Sequence, residues 1–216
     1  MPQRKSLAEF INSLFSRERV PHHLKAVALT AHEGGLGYRL SARVIQALGT
    51  PISHTAVWQW QQRLDGQPLP LRRRKRKRLA ADETTVEIDG QRWYVWLVVD
   101  VEADEPLAFH VSHAQTIFDA AVVLRQALTW CTNKPRLFTD SAPCYRRASR
   151  IVGMRHTICV FGPQSAAERA FAWLEHHLQR LKRAYCKIPV DNVRNLLLRW
   201  VSARVTLTMW VRATIS

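Results

Sequence analysis

No stretch of the chain approaches the ~20 consecutive apolar residues that a membrane-spanning helix needs. The opening MPQRKSLAEF carries charges without an apolar run of signal-peptide length behind them. A membrane protein is therefore not expected, and the expected compartment is the cytoplasm. Cysteine is sparse and poorly spaced for metal. Cys131, Cys144, Cys159 and Cys186 form no C-x-x-C pair and have no paired histidine nearby, which argues against a zinc module and for ordinary reduced thiols. Acidic residues are scarce relative to their opposites. Only 17 Asp and Glu stand against 32 Lys and Arg, a formal net charge of +15, so the expected partner is a polyanion, and with no membrane segment that means nucleic acid.

What is present suffices for one sizeable core and a smaller unit beside it: 216 residues, 47% of them hydrophobic. The join is legible. Residues 71–78 read LRRRKRKR, preceded by DGQPLP. Like charges at this density repel and bury no apolar area, so 67–78 is expected to be an extended basic linker between a helical domain, 1–66, and an α/β domain, 79–216. Arg72, Arg73, Arg74, Lys75, Arg76 and Lys77 are candidates for DNA phosphate contacts, because clustered cations release condensed counterions and bind without regard to sequence.

Before the linker, HHLKAVALTAH, LSARVIQALG and SHTAVWQWQQRL repeat apolar residues at three- and four-residue spacing, the period of amphipathic helices. Gly49 suits a helix stop and Ser53 suits the cap of the next helix. Two helices joined by GTPI suggest a helix-turn-helix, whose second helix would offer His54, Thr55, Gln59 and Gln62 to base edges while Val57, Trp60 and Leu64 face the core.

After the linker the pattern turns to strands. RLAADETTVEI, QRWYVWLVVDV and EPLAFHVS are rich in β-branched and aromatic residues, and Asp89-Gly90 suits a tight turn between the first two. A helix over roughly 116–132, the strand PRLFT, a short helix after Pro143, a strand near RHTICVF and a long helix over roughly 165–185 complete an α/β order with a mixed sheet.

Acidic residues from distant positions are the candidates for chemistry. Asp82 lies on the first strand and Asp140 ends the fourth. If those strands are neighbours, the two carboxylates converge at one end of the sheet, where like charges raise a pKa or recruit a cation. In a basic protein handling phosphate the fitting cation is Mg²⁺ or Mn²⁺. A pair of such ions can stabilise the attacking and leaving oxygens of a phosphodiester displacement. A third carboxylate is expected from the long helix, where Glu168 and Glu175, seven positions apart, share nearly one azimuth. On the same helix Arg180, Lys182 and Arg183 extend a basic face suited to phosphate. Asp100, at the end of WYVWLVVD, ranks behind Asp82.

The segments AADETTVEIDGQRWYVWLVVDVE, LFTDSAPCYRRASRIVG and FGPQSAAERAFAWLEHHLQRLKR together resemble the catalytic domain of DDE transposases of the insertion sequence six type, over roughly 78–183. The D-E-T strand with its D-G turn and the T-D-x-x-P-x-Y segment are the specific parts. The resemblance implies an RNase H-like fold, two divalent metal ions, and DNA strand cleavage and joining. It implies the triad Asp82, Asp140 and Glu168, the last because E-R-x-F-x-x-L around it resembles the family's third motif. Glu175, which satisfies the family's usual interval from Asp140, remains the alternative. Joining two DNA ends further implies a homodimer or larger assembly on DNA.

Overall fold

A computed structural model of the chain describes residues 13–15, 19–33, 35–64, 71–88 and 90–159, and then 172, 175, 176, 178, 179, 193–195, 197–199, 201 and 202. The chain divides into two compact units, one of residues 1–70 with 199–216 and one of residues 71–198.

The first unit includes the helices α1 (His22–Glu33), α2 (Tyr38–Ala47) and α3 (His54–Leu64). Their apolar stripes meet in one cluster that includes Phe15, Ala28, Leu29, Ile45, Val57, Trp60 and Leu64, all nearly or fully buried. Burial of such side chains is the main favourable contribution to a unit this small, about 1.5–3 kcal/mol for each large one. Buried Lys25 lies over the Phe15 and Trp60 rings, 5.1 and 5.8 Å from their centroids, an arrangement favoured by the negative ring faces. The turn between α2 and α3 follows the local chemistry. Gly49 takes a φ of +85°, which ends α2 at no steric cost. Ser53 Oγ then accepts the backbone N–H of Ala56 at 3.1 Å, closing the first turn of α3.

The second unit is a five-stranded mixed sheet in the order β3-β2-β1-β4-β5, built from β1 (Arg78–Ile88), β2 (Gln91–Asp100), β3 (Glu105–Ser112), β4 (Arg136–Thr139) and β5 (His156–Ile158). The first three strands form an antiparallel meander, with Gly90 at φ +69° in its first turn. Two helices, α4 (Ile117–Leu128) and α5 (Pro143–Val152), carry the chain to β4 and β5, which lie parallel to β1. Thr116 caps α4 by accepting the Asp119 N–H, and Pro143 opens α5 where its missing N–H is harmless. This is the RNase H-like arrangement that the sequence resemblance implied. Asp89 and most of the long helix expected near 165–185 lie outside the described residues.

The basic linker is corrected by the structure. Residues 71–78 belong to the second unit, and the backbone of Arg74 pairs with the segment after α4, its N–H donating to Trp130 and its carbonyl accepting from Thr132. Arg76 is buried. Its Nη1 meets Asp100 and, at 2.7 Å, Glu105, its Nε donates to the Trp130 carbonyl at 3.2 Å, and Asn133 bonds both its backbone groups. Arg74 joins the same acidic pair, reaching Glu105 at 3.0 Å. The physical reason is pairing. Asp100 and Glu105 sit at the turn end of β2 and β3 and neutralise two cations that sequence order separates from them by more than twenty residues. Arg76 is thus not a phosphate contact, and the α/β unit starts at Leu71 rather than at 79. The far boundary differs as well, because Arg199, Val201 and Ser202 fall within the first unit.

Candidate active site

The parallel pairing of β1 with β4 ends at Ala80 opposite Phe138. Asp82 and Asp140 each lie two residues beyond that pair, so the two carboxylates stand where β1 and β4 part, Asp82 on a β1 that runs on to Ile88 beside β2. This is the convergence that strand adjacency required, and it occurs where a sheet's parallel strands part and leave a crevice.

Each aspartate is oriented by its own neighbourhood. Asp140 Oδ1 accepts the Ala142 N–H at 2.9 Å, a local turn that steers the chain into α5. Beside it, Thr139 Oγ1 bonds His156 Nε2 at 2.7 Å, tying β4 to β5. Burial and the positive charge of Arg146 hold the His156 imidazole below its usual pKa, against the opposing pull of Asp140. Asp82 Oδ1 accepts the N–H of Glu83 at 2.9 Å. Burial, with the charges of Glu83, Asp140 and Glu175, pushes the Asp82 carboxyl up to about 7.

Side chains alternate across a strand, so Asp82 and Thr84 share one face of β1 and Glu83 takes the other. On the first face, Thr84 Oγ1 donates to Glu175 Oε1 at 3.2 Å. On the second, Tyr145 Oη donates to Glu83 Oε2 at 2.7 Å, and Gln115 Nε2 bonds the other Glu83 oxygen. Burial raises the Glu83 carboxyl while the Tyr145 and Gln115 bonds restrain it, and Asp140 adds to the rise. Tyr145 itself is fully buried, and burial with the Glu83 charge holds its phenol well above the ordinary value, so it stays a donor.

The donor set is all oxygen, supplied by carboxylates from three separate segments. Such a set suits a hard divalent cation, and the Asp82 carboxyl, raised first by burial and further by the neighbouring carboxylates, would be eased by one. Among the described residues no three His, Cys, Asp or Glu side chains converge tightly enough to enclose an ion. The carboxylates share a field rather than a closed cage.

Of the residues singled out from sequence, the structure brings together Asp82, Asp140 and Glu175. Glu168, Arg180, Lys182 and Arg183 lie outside the described residues. In the first unit His54, Thr55, Gln59 and Gln62 are all exposed along α3, while Val57, Trp60 and Leu64 are buried, as their helical phase predicts. Arg72, Arg73, Arg74, Lys75 and Lys77 are exposed, although Arg73 also donates to the Cys131 carbonyl at 3.1 Å. Asp100 belongs to the buried ion pair with Arg76, away from the crevice chemistry.

Sequence reasoning missed Glu83, Tyr145 and Gln115. Glu83 and Tyr145 stood inside the D-E-T and P-x-Y segments, but nothing in their spacing says that they touch. The short helix expected after Pro143 is α5, but its outward face, which carries Arg146, Arg147 and Arg150 and no acidic residue, was not singled out. Arg147 and Arg150 have no ion-pair partner among the described residues.

A family model described as a DDE domain, of the IS240 transposase type, matches residues 76–195. The chain is 24% identical over 200 residues to the uncharacterized protein MJ0017 of Methanocaldococcus jannaschii, covering 93% of this chain and 92% of that one. Among solved structures, the magnesium complex of the HTLV-2 integrase catalytic core in its dimeric form is similar at a TM-score of 0.42 and 16% identity, over 57% of this chain and 84% of that one. A chain of the simian T-cell lymphotropic virus intasome, solved with the PP2A regulatory subunit B56 gamma, is similar at a TM-score of 0.44 and 16% identity, over 83% of this chain and 66% of that one.

Proposed function

Because the chain belongs to the DDE transposase family, with a domain match over more than half its length, we propose that it is a transposase that cuts and joins the DNA of an insertion element. The observation that carries this reading is the carboxylate field at the β1–β4 crevice, where Asp82 is pushed up to about 7 by burial and by Glu83, Asp140 and Glu175. A protein of net charge +15 that gathers carboxylates at one sheet end is keeping negative charge for a purpose other than binding polyanions.

Asp82, Asp140 and Glu175 are the residues that would hold the cations. Glu175 takes the third place in this reading because its carboxylate reaches Thr84 on the face of β1 that Asp82 occupies. When bound, Mg²⁺ or Mn²⁺ supplies stabilisation of the oxygens entering and leaving phosphorus. In the reaction, a water oxygen attacks the element-end phosphodiester, the P–O bond to the 3′ oxygen breaks, and a 3′-hydroxyl is released. That hydroxyl then attacks a second phosphodiester, forming the new strand and freeing another 3′ end. The protein's part is positioning: β1 and β4 bring two carboxylates to the place where their pairing ends, and the basic surfaces hold the duplex.

The DNA contacts follow the exposed residues. The α2–α3 pair acts as a helix-turn-helix with His54, Thr55, Gln59 and Gln62 toward base edges, and Arg72, Arg73, Lys75 and Lys77 toward phosphates; Arg180, Lys182 and Arg183, outside the described residues, are assigned to phosphate from the sequence alone. Two copies act together, since two element ends are joined, and the work is done in the cytoplasm, on the nucleoid.

The test incubates the full chain with the DNA flanking its own gene and Mg²⁺ or Mn²⁺, comparing wild type with Asp140→Asn. Metal-dependent end cleavage and strand joining, lost in the variant while DNA affinity stays, supports the transposase. Cleavage without joining points to a nuclease on the same fold, and binding without cutting in either protein overturns catalysis.

A further inference from the structure

The ladder between β1 and β4 stops two residues short of both aspartates. Beyond it, a side-chain bond joins the two segments: Tyr145 Oη to Glu83 Oε2, 2.7 Å. Glu83 follows Asp82 directly. Tyr145 stands five residues past Asp140, in the first turn of α5, and the Asp140 carboxylate accepting from Ala142 makes the intervening segment a short, defined turn. A bond between Glu83 and Tyr145 therefore limits how far apart the two aspartates can drift.

Both ends of the bond are themselves held. Tyr145 has no exposure, and Trp96 packs edge-on to its ring at 5.9 Å between centroids. Trp96 is opposite Glu83 in the β1–β2 register and is fixed by its own Nε1 donating to Ser112 Oγ at 2.9 Å. On Glu83, the oxygen not used by Tyr145 accepts from Gln115, at the entry to α4. A carboxylate with two directed donors, one on a fully buried phenol, has little freedom left.

We propose that Tyr145, Glu83 and Gln115 form a clamp that sets the separation of Asp82 and Asp140, with Tyr145 and Glu83 as positioning residues for the reaction. The clamp rests on the reading of Asp82 and Asp140 as the reacting site. It acts from the opposite face of β1, so neither Glu83 nor Tyr145 needs to touch DNA. Binding of DNA and setting of the aspartates are then separable, which a purely structural tyrosine would not allow.

The test uses the full chain as wild type, Tyr145→Phe, Glu83→Gln and Glu83→Ala. Tyr145→Phe keeps the ring against Trp96 and removes only the hydroxyl. In the metal-free protein, hydrogen exchange of amides 82–85, 140–142 and 144–146 is expected to speed up about tenfold in Tyr145→Phe, with β2 and β3 unchanged. In end cleavage, kcat is expected to fall about tenfold to a hundredfold, the range for groups that orient ligating carboxylates, while KM for DNA holds within about twofold. Glu83→Gln keeps an oxygen for the phenol and recovers most of the rate that Glu83→Ala loses. Unchanged exchange in both segments overturns the clamp, as does a rate loss accompanied by equal loosening of β2 and β3. Should the wild type cut no DNA, the transposase reading fails, and the exchange measurement still decides the clamp.

Discussion

Thr84 Oγ1 donates to Glu175 Oε1 at 3.2 Å, across 91 positions of sequence. The bond puts Glu175 on the same face of β1 as Asp82 and makes it one of the charges that raise Asp82. It is why Glu175 enters the proposed triad although the sequence around Glu168 looked more like the family's third motif.

Glu175→Gln should therefore abolish metal-dependent end cleavage, a loss of about a thousandfold or more if it removes a cation ligand, which is a ΔΔG‡ of about 4 kcal/mol. Glu168→Gln should lose less than about tenfold. Single-turnover cleavage on the flanking DNA measures both, and the reverse ranking would return Glu168 to the triad.

Asp82 ties stability to pH. Its carboxyl stands at about 7 in the fold against an ordinary value of 3.8, with burial as the first cause. A raised carboxyl favours the protonated form, so its contribution to stability is present below the ordinary value and is lost as pH rises through about 7. Metal-free Asp82→Asn should thus melt higher than wild type at about pH 8, by roughly 2–4 °C for each kcal/mol relieved. The gap should close toward about pH 5. Scanning calorimetry at the two pH values checks this, and equal melting at pH 8 would refute it.

Removing Arg76 should unfold rather than unbind. With its side chain buried between Asp100 and Glu105, Arg76→Ala leaves buried charge uncompensated, and a loss of about 3–5 kcal/mol is expected by denaturant titration. The paired change Arg72→Gln with Lys75→Gln, at exposed positions, should leave stability within about 0.5 kcal/mol. It should lower the slope of log affinity against log salt by about 1–2.

The arginine face of α5 should behave as a phosphate surface. Arg147→Gln with Arg150→Gln is expected to reduce the salt slope by about 1–2 and to weaken all DNA sequences alike. A selective loss for element ends would instead mean that these arginines read bases.

On α3, Gln59→Ala with Gln62→Ala should weaken binding to element ends by about 1–3 kcal/mol for each base no longer read, with little effect on random DNA. An unchanged ratio between the two would remove α3 from base reading.

The amino-acid order alone determined most of what is local. Helical phase placed Val57, Trp60 and Leu64 inward and His54, Thr55, Gln59 and Gln62 outward, because a 3.6-residue repeat needs only neighbours on its own turn. Gly49 and Ser53 ended and began helices by backbone conformation and a side-chain cap, interactions spanning three residues. Asp82 was legible as a carboxylate on the first strand and Asp140 as one ending the fourth, and their meeting followed once β1 and β4 were neighbours.

Only the tertiary structure decided the rest, since it depends on partners far away in sequence. The run LRRRKRKR read as solvated by its own repulsion, but Asp100 and Glu105 supply opposite charge, and Arg76 goes inside. Glu83 read as a strand residue, and Tyr145 as part of a short helix. Their bond exists because β4 lies beside β1 and delivers α5 over the opposite face of the strand that carries Asp82. Charge and hydrogen-bond satisfaction are properties of what surrounds a group in space, and sequence order alone does not specify those surroundings.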